Sequence, residues 1–469
     1  MTFAKPFAST LTATSNLEAG LTDLAANLVG RVVTPADTDY DELRAIPNLG
    51  YDRRPAAIVR VEATRDISEA VNFARTYGIG LGVRGGGHSI AGFSAVEGGI
   101  IVDMRTFKGV IIDPIARVGR VQGGATTADI MIPAHEVGLA LSTGDTKTVG
   151  VGGLTNGGGI GWMVRKHGLA IDNLLKATVV LADGSVVTAS PTENSDLFWG
   201  IRGGSGNLGI VAEFEFQLAA VREIYGGGLV LPATAEVLRG IVDQISDAPE
   251  DLTVIAFVMQ GPPAPFIPES WLGRPVAMLG ICWTGEQAEG ERIVGQLRDL
   301  AEPIADLTGV MPYPALYQLT EPAEVPHLNV VRQFFSDELS DEALEAVVEA
   351  IANATGPMSM VQIRNYGGAV ARVPGDETAF ANRDAKLFVS QLALWLDPTD
   401  DVEKHRDWAT RLYNAMRPAK TRGAYSNFVA ADEQRISEIW PGETYDRLVA
   451  LKRRYDPTNL FRFNQNIKP

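Results

Sequence analysis

A histidine set directly behind three glycines is the first place where this chain offers chemistry: Arg84, Gly85, Gly86, Gly87, His88 and Ser89 run in succession, in a sequence of 469 residues with only five histidines. An imidazole can serve there as base, acid or nucleophile, and the glycines remove the Cβ atoms that would keep a ligand from the backbone amides. Two more clusters follow, Gly150 to Gly161 (GVGGLTNGGGIG) and Gly203 to Gly209 (GGSGNLG). One such cluster reads as a tight turn; three in one segment point to a bound diphosphate and so to a nucleotide cofactor. The third contains a literal G-x-G-x-x-G, Gly204 to Gly209, yet IVAEFEFQL follows it and alternates with period two like a strand. An NAD-type dinucleotide fold is therefore not expected.

The elements that must hold these residues read as α+β. AAIVRVEA is a strand, Asp66 with Glu69 forms a capping box opening the helix DISEAVNFARTYG, and the strand GLGVR runs straight into the first glycines. GIIVDM and GVIIDPIARVGRVQGG read as strands, a helix begins after Thr127, and Asp183 with Gly184 turns a hairpin in VVLADGSVV. After about Val221 the helices TAEVLRGIVDQIS and SDEALEAVVEAIANATG are separated by the strands DLTVIAFVMQ, SMVQIRNYGGAVARV and AKLFVSQLALWL, the pattern of an antiparallel sheet covered by helices. Strand alternation puts Gln362, Arg364 and Tyr366 on one face, either a pocket wall or a solvated side.

Composition excludes several roles. A net charge of -16 disfavours a phosphate backbone or an anionic membrane as partner. The lone cysteine, Cys282, forbids an intrachain disulfide and a cysteine metal cluster, and no histidine pair has ligand spacing, so no metal is expected. The start MTFAKPFASTLTATS lacks an apolar core for a signal peptide, and no run of about 20 apolar residues follows, so a cytoplasmic protein is the expectation.

With VRGGGHSIAGFS, TVGVGGLTNGGGIGWMVRKHGLAIDNLL, DLFWGIRGGSGNLGIV and the closing YDPTNLFRFNQNI in that order, the chain resembles the FAD-linked oxidases of the vanillyl-alcohol oxidase (PCMH-type) superfamily. Within it the likeness is to the berberine-bridge-enzyme-like and 6-hydroxynicotine-oxidase-like branch. The resemblance implies a two-domain fold: residues 1–220 bind FAD, residues 221–418 bind substrate, and residues 419–469 return to the FAD-binding part. It implies that His88 bonds covalently to the 8α carbon of FAD. Arg84, Gly85, Gly86, Gly87, Ser89, Thr146, Val149, Gly150, Gly152, Gly153, Asn156, Gly158, Gly159, Gly161, Gly209, Ile210, Val211, Asn464 and Asn466 would complete the cofactor site. Many relatives have a second attachment through a cysteine where this chain has Thr146, so a single link is expected and oxidation of unactivated sugar hydroxyls is disfavoured. Valine at position 149 goes with oxidases.

The same likeness names candidate catalysts. GAYSNF fits a Y-x-N-[YF] motif, making Tyr425 a base whose ordinary pKa of about 10 needs a positive neighbour, with Arg422 and Lys420 close in sequence. A core tyrosine is the alternative. Tyr366 would face the flavin from the far side, with Gln362, Arg364 and Asn427 as substrate contacts. His135 and His405 read as surface residues, His167 as packing near the cofactor, and His327 stays open. The implied function is hydride transfer from an alcohol, amine or phenol-like substrate to FAD, with O2 as acceptor and hydrogen peroxide as product, in a monomer or homodimer. A dehydrogenase with another acceptor, or a flavin-binding protein without turnover, are the alternatives.

Overall fold

In the computed structural model, which describes residues 7–417 and 423–469, the apolar strands Ala57–Arg60, Ile100–Asp103 and Leu81–Arg84 lie parallel, and Arg31–Val33 joins Ala57–Arg60 antiparallel at the edge. The helix Thr64–Tyr77 packs Ile67, Ala70, Val71 and Ala74 into this sheet's core. Its start differs from expectation: Ala63 is the N-cap and Asp66 is the third helical residue. Its carboxylate accepts from the backbone N–H of Glu62 and Ala63 at 2.9 and 3.0 Å, and of Val29 and Gly30 at 2.8 and 3.1 Å. The cap is therefore a long-range clasp of Asp66, in place of an Asp66–Glu69 box.

A second, antiparallel sheet is ordered Val110–Asp113, Val118–Gln122, Ile210–Gln217, Leu174–Val180, Val186–Ala189. Ile210–Gln217 is its central strand, so the third glycine cluster feeds a sheet, as its period-two sequence demands.

The third sheet has eight antiparallel strands between Glu223 and Trp395. The helices Ala235–Ser246, Gln287–Arg298, Asp341–Ala352 and Val402–Met416 supply buried side chains to one core with this sheet. Alternation sorts its faces: Val361, Ile363, Val389 and Ala393 point into the helix-covered core, whereas Met360, Gln362, Arg364, Phe388 and Leu392 line a cavity on the other side. The strand Met360–Asn365 ends earlier than the sequence suggests, because Gly367 and Gly368 take positive φ of 83° and 60° and turn the chain into the short helix Ala369–Arg372.

The C-terminal segment joins the core of the second sheet: Val429, Trp440, Leu448, Leu451 and Ile467 pack with Phe214 and Phe216. Its fastening is the fully buried pair of Lys452 and Asp456, 2.7 Å apart. Lys452 also donates to the carbonyls of Asn207 and Phe461 at 2.9 and 2.7 Å, tying the segment to the third glycine cluster. Lys452→Ala would strand the Asp456 carboxylate in the core and is expected to cost about 3–5 kcal/mol of stability. Chemical denaturation of the two proteins side by side checks this. No helix among the described residues is long and apolar enough to cross a membrane.

Candidate functional site

The three glycine clusters meet at one cavity of about 1190 Å³, above the range of roughly 300–1,000 Å³ usual for a small-molecule pocket. The first two clusters touch: a Cβ on Gly86 would lie 2.4 Å from Gly150 N, and one on Gly150 2.3 Å from Gly86 N, so only glycine permits the approach. Gly85, Gly86, Gly87, Ser89, Thr146, Val149, Gly150, Gly152, Gly153, Gly209, Ile210 and Val211 all border the cavity. Gly153 faces open space, with no atom within 4 Å of where its Cβ would stand.

His88 lies at this junction with Nε2 3.0 Å from the Thr148 hydroxyl. Burial, with His327 beside it, pushes its pKa down to about 4, so the ring is neutral near pH 7. His327, left open by the sequence, lines the same cavity.

Acceptor atoms gather where the C-terminal segment reaches the second and third glycine clusters. Asn156 and Asn464 border the cavity, and each has its Oδ1 buried without a partner among the described residues. Their amide nitrogens are spent, Asn156 on Gly152 O at 2.9 Å and Asn464 on Gly206 O at 3.2 Å. Buried acceptors left open call for a ligand that brings N–H or O–H groups. Gln465, which sequence reading passed over between the two asparagines, also borders the cavity and donates to Val429 O at 3.1 Å.

Across the cavity stands Tyr425, 2% exposed and enclosed by the rings of Phe380, Phe388 and Phe428. Its hydroxyl oxygen accepts from Gly159 N at 3.2 Å and from Asn427 Nδ2 at 3.0 Å. Burial raises its pKa above the ordinary value; the hydrogen bonds from Asn427 and the backbone, with the charge of Arg364, pull the other way. The cations expected to act here, Lys420 and Arg422, lie outside the described residues. Arg364 takes that place through its ion pair with Asp145 and a 2.6 Å bond to Gln362 Oε1, and all three line the cavity. Asp145 carries no motif of its own; only its position beside Thr146, whose hydroxyl donates to it at 3.1 Å, could have flagged it.

Several expected site residues stand elsewhere. Arg84 does not reach the cavity: its guanidinium donates to the carbonyls of Leu43, Arg44 and Ser94, bracing the loop from behind. Tyr366 donates to Asn382 O at 3.0 Å and packs on Phe335, so its hydroxyl is spent within the core. Gly158 and Gly161 support packing instead of lining, since a Cβ would strike Phe380 or Thr143 O, and Gly159 acts through its N–H on Tyr425. Asn466 is not part of the cavity wall, and its buried Oδ1 has no partner among the described residues. His167 is not part of the cavity wall: its backbone carbonyl accepts from Asn173 Nδ2 at 2.8 Å, and burial lowers its pKa. His135 is half-buried, and His405 is fully buried, stacked on Trp395 at 4.0 Å between Thr355 and Asp400. Among the described residues no group of His, Cys, Asp and Glu could hold a metal ion.

Known proteins match this chain over most of its length. A family model described as FAD binding domain covers residues 55–190, and one described as berberine and berberine like covers residues 424–468. (R)-6-hydroxynicotine oxidase from Paenarthrobacter nicotinovorans is 29% identical, over 94% of this chain and 97% of its own. The FAD-linked oxidoreductase YvdP of Bacillus subtilis is 30% identical, over 95% of this chain and 99% of its own. A solved structure of glucooligosaccharide oxidase from Acremonium strictum, an enzyme with a 6-S-cysteinyl, 8α-N1-histidyl FAD, superposes with a TM-score of 0.81 at 25% identity, covering 97% of this chain and 99% of that one.

Proposed function

From the premise that the chain belongs to the berberine-like family of FAD-linked oxidoreductases, with its PCMH-type fold, we propose an oxidase that holds FAD by one covalent bond, through His88, and oxidises a small alcohol, amine or phenol-like molecule. The observation that carries this reading is the placing of His88 and Tyr425 on one cavity floored by glycine backbone and edged by unpartnered asparagine oxygens. That donor and acceptor set fits FAD: bare amides suit a diphosphate, and Oδ1 of Asn156 and Asn464 suit hydroxyl and ring N–H groups. FAD held by these residues would supply hydride-accepting chemistry, with O2 as terminal acceptor and hydrogen peroxide as product.

The chain's own residues do the rest. Thr148 engages His88 Nε2, which leaves Nδ1 as the nitrogen free to form the bond. Thr146 has no thiol with which to form a second. With a His88 pKa of about 4 the imidazole is neutral at every higher pH and keeps one ring nitrogen with a free lone pair. Attachment is therefore expected to be equally complete from about pH 8 down to about pH 5 and to fail only as pH approaches that pKa. Reconstitution of flavin-free protein with FAD across this range, read by flavin fluorescence in a denaturing gel, checks it.

Tyr425 takes the proton from the substrate's O–H or N–H group as the hydride leaves, and the N–H groups of Gly159 and Asn427 hold the phenolic oxygen in place for it. Phe380, Phe388 and Phe428 keep water from that oxygen. Val149 lines the cavity, and the resemblance, in which valine at this place goes with oxidases, supports O2 as acceptor. The test is a substrate screen that follows oxygen uptake and peroxide together. Peroxide equal to substrate consumed is the expected result; turnover only when a dye replaces O2 would make the protein a dehydrogenase.

A further inference from the structure

The cavity wall supplied by the large sheet is mainly apolar; its polar groups are Gln362 and Arg364 at one end and Asn329 on the edge strand Leu328–Ser336 at the other. Phe257, Met259, Met278, Met360 and Leu392 face the cavity from neighbouring strands, and Phe266 adds to them from the loop that follows Gly261. None of these side chains can satisfy a hydroxyl group. A sugar chain laid along such a wall would bury hydroxyls without partners, each at about 1–3 kcal/mol. Methionine side chains are instead suited to apolar bodies of irregular shape.

At the end beside Tyr425 the wall turns polar; the Asp145 carboxylate there is already engaged by Arg364 and by the Thr146 hydroxyl, and what the sheet leaves open is donors. Arg364 is 5% exposed; its two Nη groups are taken by Asp145 and by Gln362 Oε1, and its Nε is buried without a partner among the described residues. Gln362 has its Oε1 occupied by Arg364, and among the described residues its Nε2 meets only the Met360 sulfur, at 3.7 Å. Two buried donors that share the cavity with the phenol call for an oxygen acceptor. The acceptor's charge follows from Asp145: the carboxylate already cancels the guanidinium, so an anionic head group would bring an uncompensated charge into a buried site.

Building on the assignment of this cavity to FAD chemistry, we propose that the substrate is an apolar molecule, a ring or hydrocarbon body along the methionine wall, with a neutral carbonyl or ether oxygen held by Arg364 Nε and Gln362 Nε2 near Tyr425. A free sugar, an oligosaccharide or a carboxylate does not fit this division of the wall.

Binding to the FAD-loaded protein tests this without turnover. Calorimetry with 1-phenylalkan-1-ones of growing chain length is expected to give a Kd that falls about three- to fourfold per methylene, the value of a buried CH₂. The matching phenylalkanes, which lack the carbonyl, should bind about tenfold more weakly, and cellobiose should give no heat. Arg364→Met combined with Asp145→Asn, a pair that leaves no unmatched charge, should close the gap between ketone and hydrocarbon and keep the dependence on chain length. Gln362→Leu, which disturbs no charge, should narrow the same gap if the double variant does not fold. FAD-loaded protein that binds cellobiose as tightly as the longest ketone, or a Kd flat along the series, overturns the substrate class and leaves the cofactor reading standing. Well-folded protein that takes up no FAD overturns both.

Discussion

Tyr425→Phe is expected to lower kcat/KM by about 100- to 10,000-fold, the usual worth of a positioned proton acceptor, while FAD remains attached. The substitution keeps the ring that packs against Phe380, Phe388 and Phe428 and removes only the oxygen held by Gly159 and Asn427. A pH profile separates this loss from damage to the fold. Burial raises the pKa of Tyr425 above that of an ordinary phenol, so the basic form is scarce at neutral pH. In the wild type, kcat/KM should therefore climb about tenfold per pH unit above neutrality, without a plateau below about pH 10. In Tyr425→Phe the climb should vanish. A parallel pH profile in the two proteins would show that Tyr425 is a core tyrosine and the base lies elsewhere.

His88→Ala is expected to abolish covalent attachment altogether, with FAD still bound because the glycine floor and the asparagine oxygens are untouched. Turnover should fall by about tenfold or more, equivalent to about 1.4 kcal/mol on the barrier, since the electron-withdrawing histidyl substituent and the fixed ring position are both lost. Thr148→Val serves as the graded companion: it removes the hydroxyl that occupies Nε2 and should slow attachment without preventing it. Intact mass against time after adding FAD reads both variants.

The local signals in the sequence carried the fold well where a pattern is short in range. Period two after Gly209 marked the strand Ile210–Gln217 and ruled out the dinucleotide reading of a literal fingerprint. The same period placed Gln362 and Arg364 together on the cavity face. It failed two residues later, because the strand stops at Asn365 and the turn at Gly367 and Gly368 sends Tyr366 into the core. Side-chain direction across long separations was not legible. Nothing near Arg84 says that it serves carbonyls of residues 43, 44 and 94, and nothing near Arg364 names its partner Asp145, which lies 219 positions earlier. His405 was misread because charged Glu403, Lys404 and Arg406 surround it, although His405, Trp408, Ala409, Leu412 and Met416 form one buried helical stripe. The glycine clusters were legible directly and the expected bond through His88 came from resemblance; what the geometry adds is that Thr148 lies at His88 Nε2, that Arg364 sits by the phenol, and that the three clusters border one cavity.

The measurement that bears most directly on the account is acid precipitation of the purified wild-type protein, followed by an absorption spectrum of pellet and supernatant and an intact mass. Flavin colour retained in the pellet, with the added mass of one FAD on the peptide that contains His88, is the predicted result. Colour released entirely into the supernatant, with the mass of the bare chain, would contradict the bond through His88.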